Sequence, residues 1–139
     1  MIKTIKVNYD VVEMMLFFWQ LVAEKEKVSE FYMTDVAEKD EMKYLYGPEF
    51  SKESVRKVLS AISNRELLSD ATKKERKFWN YNMWMLEDLG NMNNMIKPIK
   101  TLNLDYIKEK YIGDTKFDEI EVIFIPGNEE EYYIDGNKL

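Results

Sequence analysis

DVVEMMLFFWQLVA, residues 10–23, is the stretch on which the fold turns. Its polar positions Glu13 and Gln20, continued by Glu24 and Lys27, are spaced by seven, four and three residues. On a helix that spacing is one narrow wet stripe. Val11, Val12, Met14, Met15, Leu16, Phe17, Phe18, Trp19, Leu21 and Val22 are apolar nearly all round it, which predicts a central helix or one packed on a second subunit. Asn8 or Asp10 is available as its cap. The apolar run from Val11 to Ala23 is too short to span a bilayer, and Lys3 and Lys6 precede it without a small-residue cleavage site, a poor match to a signal peptide.

Upstream, Ile2 to Val7 alternate as a short strand would. Downstream, Ser29 to Tyr46 read as helix, with Tyr32, Met33, Val36 and Ala37 facing inward, Glu38 to Lys43 solvated, and Gly47-Pro48 as the stop. Asp35 followed by Glu38 resembles a capping box, so one bent helix or two shorter ones fit equally. The clearest start is Ser51 as N-cap, with Glu53 in the first turn and Phe50 set to staple on Val55. Val55, Val58, Leu59 and Ile62 then share one face, and Leu67 and Leu68 continue burial. Ser69 and Asp70 are candidate caps for a helix over 71–89 that Gly90 ends.

Beyond residue 95 the character changes. Ile96 to Leu104 read as extended around Pro98, and Asp105 to Tyr111 as one short helix. Ile120, Val122 and Phe124 alternate with Glu119, Glu121 and Ile123, and Pro126-Gly127-Asn128 supply a turn before Glu130 to Ile134, which predicts an antiparallel hairpin. Asp135-Gly136 looks like a second hairpin turn, but only three residues follow it, too few for a useful third strand. The expected fold is therefore α+β in one domain over 1–139: a mainly helical body of about four helices over residues 10–90 and a small C-terminal antiparallel sheet within 96–135, open to the N-terminal strand.

Composition bounds the chemistry. The 139 residues are 45% hydrophobic and 14% aromatic, enough for a core without disulfides. With no Cys there is no thiol nucleophile or thiolate metal site, and a reducing, cytoplasmic setting is the expectation. With no His there is no Ser-His-Asp arrangement and no HExxH site. A net charge of −6 and only three arginines oppose binding to nucleic acid or an anionic membrane, and favour a protein partner, a basic one more easily than an acidic one. The five glycines are widely separated, which removes the phosphate loop and the dinucleotide fingerprint.

The helix over 71–89 carries the candidate sites. Lys73, Lys74, Arg76 and Lys77 lie near its start and Glu87 and Asp88 near its end, the reverse of what the macrodipole favours, so the basic end is a candidate anion site or simply a solvated face. Trp79, Tyr81 and Trp84 cover more than one face, so at least one is expected outside the core as a partner anchor. The acidic runs Glu38, Asp40, Glu41 and Glu129 to Glu131 fit no metal loop and read as hydrated surface, and no pair of carboxylates stands out for hydrolysis. No metal or cofactor is expected. The reading is a noncatalytic protein-binding domain of an inhibitor, immunity or regulatory kind. The alternatives are a carboxylate-based enzyme or small-ligand protein, and a subunit that self-assembles through the helix over 10–23.

Overall fold

The computed structural model describes residues 4–104, 119–125 and 134–139. Strand β1 (Thr4–Asn8) leads into α1 (Asp10–Ala23), whose first backbone N–H is taken by the Asn8 side chain at 3.1 Å. Tyr9 holds the N-cap position, so neither expected residue does. Val11, Val12, Met15, Leu16, Phe18, Trp19 and Val22 are buried, and Phe18 is wholly so. Burial is not complete around the helix: Phe17 is half exposed, leaning on Tyr32 with ring centroids 5.7 Å apart.

α1 ends without a glycine. Lys25 takes the left-handed conformation at φ 61°, and the N–H groups of Lys25 and Glu26 return to the carbonyls of Val22 and Leu21. α2 (Glu30–Glu38) starts on Ser29, whose hydroxyl accepts from the Tyr32 N–H at 3.1 Å. Lys39, at ψ 135°, separates it from a 3-10 turn over Asp40–Tyr44, so the stretch is two short elements rather than one bent helix. α2 is tied to its neighbours through tyrosine hydroxyls: Tyr32 donates to the Met14 carbonyl at 2.9 Å, and Tyr46 donates to that of Ala37.

α3 (Lys52–Asn64) opens as the sequence indicates, on Ser51, with Phe50 and Val55 both in the core. The reciprocal partner is Ser54: its N–H reaches the Ser51 hydroxyl and its own hydroxyl accepts from the Ser51 N–H at 3.0 Å. α4 (Lys73–Glu87) is capped by Thr72, not by Ser69 or Asp70, through a second box in which Glu75 accepts from the Thr72 N–H at 2.9 Å. α2 packs on α3, α3 on α4, and α1 on α4. α1 and α4 are pinned by a buried amide: Asn82, fully enclosed, accepts from Trp19 Nε1 at 2.8 Å and donates to the Phe78 carbonyl at 2.9 Å.

Three expectations are corrected from here on. The break after α4 is at Asp88, which caps the next helix through Asn91, and Gly90 lies inside that helix. The residues read as extended around Pro98 belong to α5 (Leu89–Lys100), which packs on α1 and buries Ile96. Pro98 is tolerated because it falls in the last turn on an exposed side, where only one ladder bond is lost. With α5 the described residues hold five α-helices rather than about four. The sheet is the third correction: β2 (Glu119–Ile123) pairs parallel with β1, Thr4 opposite Glu119 through Asn8 opposite Ile123, so the helical body is the crossover between them.

The expected helix over 105–111, the turn at 126–128 and most of the strand over 130–134 lie outside the described residues. The Asp135-Gly136 turn is present, with Gly136 at φ 60° and Asp135 and Lys138 exchanging two 2.9 Å backbone bonds. The last residues meet β2 through an isolated bridge, with Glu121 N–H donating to Asn137, Leu139 N–H to Glu121, and Ile123 N–H to Leu139, and add no third strand to the two-stranded sheet of the described residues. No helix of the described residues is long and apolar enough to cross a membrane.

Candidate functional site

α4 separates the three aromatic candidates. Residues 79, 81 and 84 are not in i, i+3, i+4 register with one another throughout, so they face different ways. Tyr81 is buried in the body. Trp79 is half-buried against the core, and its Nε1 is enclosed without a hydrogen-bond partner. Trp84 is 76% exposed. It lies on the solvated stripe that runs through Lys73, Lys77, Asn80 and Glu87, all exposed. An indole at that position has cations two and three turns toward the helix start and Glu87 and Asp88 one turn toward its end.

The basic start of α4 is exposed at Lys73, Lys74, Arg76 and Lys77. The anion seated there belongs to the chain itself. Glu75 is almost fully buried and accepts from the Thr72 N–H and, at 3.5 Å, from Lys57. Burial pushes its carboxyl up, but the Thr72 backbone N–H, the Ser54 hydroxyl and Lys57 together outweigh that and hold it below the usual carboxylate range. Ser54 thus serves both boxes, and the starts of α3 and α4 form one polar knot. Lys57 also donates to the Asp70 carbonyl at 2.8 Å, and Thr72 to that of Glu49 at 2.8 Å. The Arg76 guanidinium turns back to the Ala71 carbonyl at 3.4 Å.

A second polar group joins residues far apart in the chain. Asn8, at the end of β1, donates through one nitrogen to Glu41 at 3.1 Å and to Glu121 of β2 at 2.9 Å. Beside it the Tyr44 hydroxyl donates to Asp135 at 3.0 Å. Burial, that hydrogen bond and the charges of Asp135, Asp40 and Glu121 raise the Tyr44 phenol above its ordinary value. Glu41 Oε2 is buried with no partner. Sequence reasoning grouped Glu41 with Glu38 and Asp40, but the structure pairs it with Asn8 and Glu121. No local signal could have shown this, since the residues are 33 and 113 apart in sequence and meet only in the folded chain. Among the described residues no three acidic side chains are placed to hold a metal ion.

Comparisons with protein families, with curated proteins and with solved structures found no significant match to this chain.

Proposed function

We propose that the chain is a noncatalytic protein-binding domain whose contact face is the outer stripe of α4 centred on Trp84. The supporting observation is the exposure of that indole, 76%, on a helix that buries Tyr81 and half-buries Trp79. Trp is the side chain that contributes most when a partner covers it, with truncation costing about 2 kcal/mol or more at the centre of an interface. Its surroundings are chemically mixed: Arg76 and Lys77 on one side, Glu87 and Asp88 on the other. A partner face of matching opposite charges fixes direction along the helix, and the net charge of −6 steers a basic partner at longer range.

The test compares the wild-type chain with Trp84→Ala as baits in extracts of its source cells. Because Trp84 is exposed, the variant keeps the wild-type melting temperature. A stoichiometric partner on the wild-type bait and none on the variant is the expected result. The same partner on both baits, or none on either, contradicts the proposal.

A further inference from the structure

The exposed stripe of α4 has a spacing of its own. Lys73, Lys77, Asn80, Trp84 and Glu87 are all exposed and follow one another at steps of four, three, four and three residues. At about 100° per residue they fall within about 40° of one line along the helix, opposite the buried Glu75 and Asn82. Steps of three and four are the seam spacing by which one helix packs along another. A strand does not keep step with such a seam. Its side chains on one face come about every 6.6–6.8 Å, whereas seam residues rise by about 5.3 Å on average.

The charges along the seam give its occupant a direction. Helices are stabilised by acidic residues in the first turn and basic residues in the last. The seam of α4 has the reverse, with Lys73 and Lys77 toward its start and Glu87 at its end. A helix with the ordinary order therefore matches it at both ends only when the two run parallel. On the premise that Trp84 is the contact, we infer that the partner segment is an amphipathic α-helix lying parallel to α4, with an acidic start, an apolar surface facing Trp84 and a basic end. The seam from Lys73 to Glu87 is about 21 Å long, so about four turns of helix cover it. A second copy of the chain fits less well. Run antiparallel about residue 82, it would pair Lys77 with Glu87 but set each Trp84 on the other copy's Asn80, an amide where the indole needs an apolar surface. Each copy also carries a net charge of −6, which opposes self-association.

The probe is a stapled helical peptide of the length of α4, with Glu in its first two turns, Leu along the surface that meets Trp84 and Lys in its last turn. Its control has the Glu and Lys residues exchanged. Fluorescence anisotropy of the labelled peptides is expected to show saturable binding, about tenfold tighter for the probe than for the control, the sum of a few exposed ion pairs. The difference should close at high salt. A nitroxide on the first residue of the probe should broaden the amide resonance of Lys73 and not that of Asp88. The double variant Lys73→Glu with Glu87→Lys moves both charges to the ends that the macrodipole favours, so it keeps its fold, and it should reverse the preference. Saturable binding of neither peptide, equal binding of both, or a nitroxide that broadens Asp88 would each overturn the inference. So would a dimer of the chain alone in sedimentation, which gives the seam to a second copy. Trp84→Ala separates the inference from the reading beneath it. If that change abolishes binding of whichever peptide is preferred, the Trp84 face stands even where the helix direction fails, whereas binding indifferent to it removes face and inference together.

Discussion

Two neighbouring phenylalanines in α1 have opposite fates. Phe18 is wholly enclosed and Phe17 is half exposed. The periodicity contained this: Phe17 lies midway between Glu13 and Gln20, four residues after one and three before the other, and so belongs to their wet stripe. Its apolar identity hides the membership. Phe18→Ala is therefore expected to cost about 3–5 kcal/mol in chemical unfolding, and Phe17→Ser under about 1 kcal/mol. Equal costs would contradict the burial of one side only. Glu75 carries a second residue-scale expectation. Its folded pKa is depressed, so its stabilisation is complete above the unfolded value near about 4.3 and is lost as pH falls through the folded value. Glu75→Gln should lower the melting temperature at pH 7, with the gap to wild type closing in acid. A gap that stays constant below pH 4 would show that ionised Glu75 is not what joins the helix starts.

Helix starts were more legible than helix stops. Ser51 with its staple is a clear start, and Thr72 followed by Glu75 is equally a capping signature, competing in the sequence with Ser69 and Asp70 just before it. The stops were harder because two of them use the left-handed conformation on side-chain-bearing residues, Lys25 and Arg65, where a glycine would announce the end. The wet stripe of α1 was accordingly extended to Lys27, four residues past Ala23. Lys25→Gly removes the steric cost of a β-carbon there and is expected to raise stability by about 0.5–1 kcal/mol. Loss of stability on that change would mean that the α1 terminus is not closed as described. Ser51→Ala should cost about 1 kcal/mol, and an unchanged unfolding midpoint would reject the cap. Pro98 misdirected the reading of α5, because the rule that disfavours helix before proline is weaker than the burial of Ile96 against the body.

For the whole molecule, the class of fold was readable and the topology was not. Alternation in Glu119 to Phe124 marks a strand whichever way its partner runs, and the nearby turn residues favoured a hairpin. Pairing with β1 brings distant parts of the chain together: Thr4–Asn8 and Glu119–Ile123 share one sheet, and Asn8 joins Glu41 and Glu121 at its end. The aromatic residues of α4 are candidates in the sequence alone, but their separation into buried Tyr81, half-buried Trp79 and exposed Trp84 comes only with the packing. The functional proposal stands on Trp84 being uncovered in the free chain. The difference in fluorescence between wild type and the folded Trp84→Phe variant isolates the emission of that indole. The expected difference spectrum resembles tryptophan in water, is quenched by iodide as freely as the free amino acid, and does not change with protein concentration. A blue-shifted, shielded difference that strengthens on concentrating the protein would contradict the account, because the indole would already be covered by a second copy of the chain.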